Sequence, residues 1–269
     1  MPFELAELLH LIVIGLLAGT AGGLLGLGGA IVMIPFLTLF MHREQHLAQA
    51  AAMIVNVFVA LPALLRHHHA DAVRWDVVVR MLPFGLIFIL IGVEVSDRVD
   101  GEILQKVFGL FLAYVVAVSI MRLYRARRDA PEPPPRVGWA PVSLVGGTMG
   151  FFAGLLGIGG GPIAVPLLKR VCDLPLRQSV AASSAVIGLT SLVGAVRKNA
   201  ALGQLTDTAG NSLGLRLEDS LWIAACIAPT AMVGALFGAG LTYRLPIAGV
   251  RVAFIVLASW VSVHMLGVL

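Results

Sequence analysis

The sequence predicts an all-α, polytopic membrane protein built from two homologous repeats of four apolar segments, and three observations support this. Of the 269 residues, 58% are hydrophobic and only 13% are charged, with a mean hydropathy of +0.93. Long apolar runs recur along the chain, and one glycine-rich sequence occurs twice. A soluble domain of this size has too little interior to bury so much apolar surface, so we expect a membrane protein.

The first half contains four apolar segments separated by short polar connections, at about residues 8–41, 47–65, 77–96 and 103–121. The first segment is too long for one straight crossing. Its roughly 34 residues would extend about 51 Å as a helix, whereas the hydrocarbon core of a bilayer is about 30 Å thick. We therefore expect this segment to break and to fold back.

A basic, proline-rich sequence, YRARRDAPEPPPRVG at 124–138, separates the two halves. Prolines cannot continue a helix, and these charges have no reason to enter lipid. The predicted organisation is an N-terminal membrane repeat at 1–123, a linker at 124–138 and a C-terminal membrane repeat at 139–269. Because arginines cluster in and beside this linker, the positive-inside rule places it in the cytoplasm.

The second half repeats the four segments, at about 139–168, 178–196, 220–243 and 246–268. GLLAGTAGGLLGLGGAIVMIPFL at 15–37 aligns without gaps with GGTMGFFAGLLGIGGGPIAVPLL at 146–168, and seven glycines and prolines coincide. If each first segment folds back, each half crosses the membrane an odd number of times. The repeats would then be inverted, which also gives the larger excess of Lys and Arg on the linker side.

Each first segment carries a glycine at every fourth position, which predicts close packing of helices. Small residues at this spacing lie on one helical face and let two membrane helices approach until their backbones touch. The residues are Gly15, Gly19 and Gly23 in the first repeat and Gly146, Gly150 and Gly154 in the second.

A second glycine pattern, GLGGA at 26–30 and GIGGG at 157–161, predicts a break in each helix. Clustered glycines lower the cost of leaving helical geometry, and Pro162 favours a new helix start. The N-terminal amides of a restarted half-helix suit an anion, whereas the alternative is that these glycines only permit packing. The candidate anion-binding residues are Gly26, Gly28, Gly29, Gly157, Gly159, Gly160 and Gly161.

Polar side chains inside the second segment of each half are further candidates, because an unpaired polar group in lipid is costly and usually turns inward. They are Gln49, Asn56, Gln178, Ser183 and Ser184. The alternative for the serines is a hydrogen bond to their own helix. Arg197 and Lys198 end the second segment of the C-terminal half, where they could attract anions, but we expect interfacial anchors.

The paired motifs GLLGLGGAIVMIPFL and GLLGIGGGPIAVPLL, the twofold repeat and the length resemble the sulfite exporter TauE/SafE family over essentially the whole chain. The resemblance implies a multi-pass transporter of small sulfur-containing anions, such as sulfite, sulfonates and sulfoacetate, in the cell inner membrane. The alternative is a carrier or channel of the same fold for another small anion or a metal ion.

Other classes of function lack a sequence signal. No HExxH pattern is present, so we do not expect a metalloprotease or another enzyme, and we expect no cofactor and no nucleic-acid partner. Adjacent His67, His68 and His69 cannot all face one metal, so we expect a solvated basic connection rather than a metal site. The expected partners are a small anion and the lipid bilayer, while a co-transported proton or cation and a homo-oligomer stay open.

Overall fold

The computed structural model describes residues 5–25, 28–125, 135–206, 210–241 and 247–267, and most of them are helical. The first half consists of α1 Leu5–Leu25, α2 Ala30–Pro35 with a π-helical continuation at Phe36–Phe40, α3 Gln45–His69, α4 Trp75–Asp97 and α5 Gly101–Arg125. The second half consists of α6 Trp139–Leu156, α7 Gly161–Val171, α8 Leu176–Ala201, a 3₁₀ turn at Leu202–Gln204, α9 Leu217–Leu241 and α10 Ile247–Met265.

Seven helices within the described ranges, α1, α3, α4, α5, α6, α8 and α9, are long and apolar enough to cross a bilayer. The described apolar part of α10, Phe254–Met265, is shorter. The prediction of an all-α, polytopic membrane protein is therefore confirmed. Most of the predicted linker, residues 126–134, lies outside the described residues, so the boundaries between repeats and linker stay a prediction.

The first segment of the N-terminal half folds back as a hairpin of α1 and α2, here called the first hairpin. Helix α1 ends at Leu25 and α2 begins at Ala30. The chain then returns to its starting point, because Arg43 Nη2 lies 3.4 Å from Glu7 Oε1, near the beginning of α1. Both ends of this segment therefore lie at the same end of the helix bundle.

The equivalent segment of the C-terminal half is a hairpin of α6 and α7, here called the second hairpin. The amide of Arg136, just before α6, donates a 2.7 Å hydrogen bond to the carbonyl of Cys172, just after α7. The Arg136 guanidinium also lies 3.2 Å from the Asp173 carboxylate. This segment likewise begins and ends at one end of the bundle, as its length and glycines predict.

Helices α3 and α8 pack against each other in antiparallel orientation at the centre of the bundle. Asn199 Nδ2, near the end of α8, donates to the carbonyl of Ala50, near the start of α3, at 3.4 Å. Arg177 Nη2, at the start of α8, donates to the carbonyl of Ala70, after α3, at 2.8 Å. The two hairpins therefore open at opposite ends of the bundle. We call the end that holds Arg136 and Arg177 the linker end, and the other the opposite end.

The remaining pairings follow one pattern from both halves. Helix α1 packs on α9 and α6 packs on α4, so that the first helix of each half contacts the third long helix of the other, while α5 packs on α10. This is the contact pattern expected of inverted repeats. The orientation of the repeats in a membrane stays a prediction.

The glycines at every fourth position lie where these helices cross. A Cβ atom added at Gly19 would lie 2.0 Å from the carbonyl oxygen of Ala231 in α9, and one at Gly150 would lie 2.3 Å from that of Gly85 in α4. Such distances leave no room for a side chain. The predicted close approach of helices is confirmed, and it fixes the position of each hairpin in the bundle.

Candidate functional site

Both hairpins turn through glycines in a left-handed backbone conformation that residues with a Cβ atom rarely adopt. In the second hairpin, φ is 74° at Gly157, 71° at Gly159 and 79° at Gly160. In the first hairpin, φ is 78° at Gly28. Helix α7 then begins at Gly161, with proline in its first turn. The clustered glycines thus interrupt each helix where the sequence predicts a break.

The two hairpin tips meet each other and a single polar side chain, Asn56 of α3. A Cβ atom at Gly28 would lie 3.1 Å from the carbonyl oxygen of Ile158 and 3.3 Å from Asn56 Oδ1. A Cβ atom at Gly159 would lie 3.0 Å from Asn56 Nδ2. Asn56 Nδ2 donates a 3.3 Å hydrogen bond to the carbonyl of Gly157, and the residue is 1% exposed. Both breaks therefore contact the same buried amide.

A small cavity lies beside this contact. Its volume is about 10 Å³, which is room for about one water molecule. Its lining is provided by α3, α8 and the first hairpin, through Gly22, Gly28, Asn56, Val59, Ala60, Ala63, Ser184 and Ile187. The centre of the bundle is thus nearly filled in this conformation.

Several polar groups at the centre have unused hydrogen-bonding capacity. Within the described part of the chain, Asn56 Oδ1 and Ser183 Oγ are buried and have no hydrogen-bond partner. The amides of Gly159, Gly160 and Gly161 likewise donate no hydrogen bond to any described residue. Ser184 Oγ, which lines the cavity, donates to the carbonyl of Val180 at 3.0 Å, within its own helix. The tip of the second hairpin can therefore offer main-chain donors to a ligand.

The other predicted site residues that the structure describes lie away from the contact with Asn56. Gly29 and Gly160 pack back on the first helices of their own hairpins, against Ala18 and Met149. Gln178 lies in the first turn of α8, about 9 Å along the helix axis from Ser184, and the structure does not bring it to the breaks. Gly26 lies outside the described residues.

Gln49 connects the second hairpin to a buried polar cluster at the opposite end. Its Nε2 donates to the carbonyl of Leu155 at 3.3 Å, and a Cβ atom at Gly157 would lie 3.0 Å from the Gln49 side chain. Its Oε1 accepts a 3.0 Å hydrogen bond from Ser96 Oγ. Ser96 Oγ in turn accepts a 2.9 Å hydrogen bond from Lys198 Nζ. A chain of hydrogen bonds therefore joins Leu155, in the last turn before the glycine break, to Lys198.

Lys198 is fully buried, so the expectation that it is an interfacial anchor is wrong. Its Nζ lies 2.7 Å from Asp97 Oδ1 and 2.9 Å from His46 Nδ1. Arg197, the neighbouring residue, is only partly buried and pairs with both Glu94 and Asp97. The sequence could not reveal this cluster, because Lys198 ends an apolar segment as an anchor would and its partner Asp97 lies 101 residues earlier.

Glu44 lies beside this cluster and caps α3. Its Oε2 accepts hydrogen bonds from the amides of His46, at 2.6 Å, and Leu47, at 3.2 Å. Burial raises the pKa of the Glu44 carboxyl above its usual value, and these backbone hydrogen bonds and the charge of Lys198 partly oppose the shift. At the opposite end of the bundle, the start of α3 is therefore part of a buried, hydrogen-bonded cluster.

In the described ranges, no group of three or more His, Cys, Asp or Glu residues is placed so that it could hold a metal ion. His67 is buried in the last turn of α3, so the expectation of a solvated run is wrong for this residue. His68 and His69 are exposed, as expected.

Comparison with known proteins supplies independent information. A model of the family described as Sulfite exporter TauE/SafE matches residues 11–265. The chain is 25% identical over 295 residues to the probable membrane transporter protein MamO of Paramagnetospirillum magneticum. This alignment covers 98% of this chain but only 45% of that protein. It is 31% identical over 215 residues to the probable membrane transporter protein YunE of Bacillus subtilis. This alignment covers 69% of this chain and 76% of that protein. It is also 23% identical over 269 residues to a probable membrane transporter protein of Haemophilus influenzae. This alignment covers 94% of this chain and 96% of that protein. All three relatives are named as probable membrane transporter proteins, and the chain spans less than half the length of the MamO proteins.

Proposed function

The chain belongs to the sulfite exporter TauE/SafE family of membrane transporters, and on this basis we propose that it carries small sulfur-containing anions, such as sulfite and organic sulfonates, by alternating access. The substrate would bind at the two glycine breaks, and the protein would act in the cell inner membrane. One observation carries the proposal: both hairpin tips contact Asn56 at the centre of the bundle. A broken helix inside a membrane is tolerated only where protein, water or ligand satisfies its main-chain groups.

The chemistry of this centre suits an anion that must be released again. Its donors are the amides of Gly159, Gly160 and Gly161, at the start of α7, and the Asn56 side chain. A helix N-terminus carries a partial positive charge, so these amides attract a negative group without a formal salt bridge. Neutral donors bind an anion less tightly than a buried arginine would, which favours rapid release.

Binding requires a change of conformation. A sulfite ion is larger than a water molecule, whereas the central cavity has a volume of only about 10 Å³. The hairpin tips must therefore separate, or α3 must move away from α8, before an anion can reach Asn56. A transporter that alternates between openings to the two sides passes through closed conformations of this kind.

The membrane potential sets the energetically favourable direction. Moving one elementary charge across about 100 mV involves about 2.3 kcal/mol, and an inside-negative potential drives a monovalent anion outward. Export can therefore proceed without coupling. Accumulation inside the cell would need a co-transported proton or other cation.

The test replaces two residues of the centre and measures anion binding to the purified protein. In Asn56→Leu, a side chain of similar size removes the amide, and in Gly159→Ala, the new Cβ atom meets Asn56 Nδ2 at 3.0 Å. We expect both variants to lose the increase in thermal unfolding temperature that sulfite, thiosulfate, taurine or sulfoacetate gives the wild type. Flux of the stabilising anion in proteoliposomes should fall in parallel.

Gly214→Ala is the matched control for Gly159→Ala. Gly214 has φ of 64°, comparable with 71° at Gly159, but a Cβ atom there would have no neighbour within 4 Å. It therefore imposes similar backbone strain without touching the centre, and should retain binding. Undiminished anion binding by Asn56→Leu would contradict the site. Saturable flux with counterflow would identify a carrier, and its absence would favour a channel.

A further inference from the structure

The linker end of the bundle contains a large open groove that the central site does not explain. This groove, here called the vestibule, lies between α3, the start of α8 and α9, and has a volume of about 750 Å³. Leu61, Pro62, Leu65, Met232 and Leu236 form apolar walls. Arg66, His69 and Arg177 provide its basic groups, and none of its lining residues is acidic. The vestibule thus combines ample space with an excess of positive charge.

The two ends of the bundle can be compared position by position. The ungapped alignment that matches Gly28 with Gly159 places Arg66 opposite Arg197. The alignment that matches Pro83 with Pro229 places Glu94 opposite Gly240. The structure agrees with both, because Arg197 Nη2 pairs with Glu94, whereas a Cβ atom at Gly240 would lie 3.2 Å from Arg66 Nη2. Arg66 therefore lies beside Gly240, whereas Arg197, the equivalent arginine of the second half, lies beside the carboxylate of Glu94.

This difference between Glu94 and Gly240 gives Arg197 and Arg66 different electrostatic roles. Arg197 contacts Glu94 and Asp97, so its charge is neutralised, and Lys198 beside it is also paired with Asp97. Arg66 forms no ion pair with any described residue. An arginine without a carboxylate at the mouth of a groove is a ready partner for an anion, because its guanidinium can donate two parallel hydrogen bonds to sulfonate-like oxygens.

We propose that the vestibule is a second anion-binding site, in which Arg66, with Arg177 and His69, captures the transported anion at the linker end before it reaches the glycine breaks. This proposal rests on the proposed function. Arg66 lies about 15 Å along α3 from Asn56, so the vestibule is distinct from the central site. A cationic groove with apolar walls concentrates anions near its mouth. Because the linker carries the arginine cluster, the capturing end would face the cytoplasm.

The test alters the charge of the vestibule in two independent ways. Arg66→Gln removes the positive charge, and Gly240→Glu supplies the carboxylate that the opposite end has at this position. The three atoms nearest to a Cβ atom at Gly240 all belong to the Arg66 guanidinium, which can move, so the fold should tolerate the change. We expect each variant to raise the KM for sulfite flux in proteoliposomes by about threefold to tenfold, with little change in maximal rate. The double variant leaves the new carboxylate without its arginine, so it should raise the KM further than either single variant.

Two controls accompany these variants. Gly240→Ala adds a Cβ atom without charge, and Arg170→Gln removes an exposed positive charge from the same end outside the vestibule. Both should keep the KM of the wild type. Raising the ionic strength should reduce the difference between the wild type and Arg66→Gln, because salt screens exposed charges.

The outcomes separate this proposal from the proposed function. If wild-type protein shows saturable sulfite flux that Asn56→Leu abolishes, but Arg66→Gln and Gly240→Glu keep the wild-type KM, the vestibule proposal is wrong and the central site stands. If the wild type moves no anion, both fail. If the wild-type KM rises with the content of anionic phospholipid in the vesicles and Arg66→Gln removes only that rise, a lipid headgroup occupies the vestibule and the proposal is overturned.

Discussion

Lys198 and Asp97 form a buried ion pair, and we expect the stability of the bundle to depend on keeping both partners. The side chain of Lys198 is fully buried and that of Asp97 is 9% exposed, so neither charge is well hydrated. Removing one partner of such a pair leaves an uncompensated charge, which costs about 3–5 kcal/mol. We expect Asp97→Asn to lower the thermal unfolding temperature of the purified protein by about 6 °C or more, given about 2–4 °C per kcal/mol for a chain of this size.

The double variant Asp97→Asn with Lys198→Met is the informative companion. It removes both charges, so it should regain much of the stability that Asp97→Asn loses. Arg197→Gln is the control, because its ion pairs are partly exposed and contribute at most about 1 kcal/mol. Equal stability of Asp97→Asn and the wild type would show that the pair does not hold this end of the bundle together.

The elements that position the site are the two hairpins, and their packing can be tested at one glycine. A Cβ atom at Gly150 would lie 2.3 Å from the backbone oxygen of Gly85, and neither backbone can yield without moving α6 away from α4. Overpacking of this kind costs about 1–3 kcal/mol. We expect Gly150→Ala to lower the thermal unfolding temperature of the purified protein and to weaken anion binding, since the second hairpin would shift.

Gly147→Ala, in the same helix, is the matched control. A Cβ atom there would touch the Phe88 ring at 3.4 Å, an ordinary contact. Replacing a glycine inside a helix by alanine gains up to about 1 kcal/mol of helix propensity, so this variant should be at least as stable as the wild type. If both variants lose the same stability, loss of glycine as such, rather than helix contact, is responsible.

The elements could be predicted from the sequence more completely than the site. The spacing of glycines in the sequence predicts their structural role. Glycines at every fourth position, such as Gly150, predict a packing face, and clustered glycines, such as Gly159, predict a break. Asn56 could be recognised because an amide inside an apolar segment needs a partner. The roles of Lys198 and Arg66 could not be predicted, because each lies at the end of an apolar segment, as an anchor would. Only the fold brings Asp97 to Lys198 and Gly240 to Arg66.

At the scale of the whole molecule, the two ends of the bundle are built on one plan but carry different charges. The opposite end holds the buried ion pair of Lys198 with Asp97 and the hydrogen bonds that lead to Gln49. The linker end holds the open vestibule. Under the proposed function, such unequal ends would let the protein capture a substrate on one side and release it on the other, provided that its two halves face opposite sides of the membrane.

That arrangement predicts opposite accessibility for the two turns that follow the hairpins. Arg43 lies beside Glu7 at the opposite end, and Asp173 lies beside Arg136 at the linker end. In a background in which Cys172 and Cys226 are replaced by alanine, we expect Arg43→Cys to react with a membrane-impermeant maleimide from outside the cell membrane. Asp173→Cys should react only from the cytoplasmic side. The ion pair that each change removes is partly exposed and worth at most about 1 kcal/mol, so we expect the fold to persist. Reaction of both cysteines from the same side would rule out inverted repeats and, with them, a vestibule and a buried ion pair at opposite faces of the membrane.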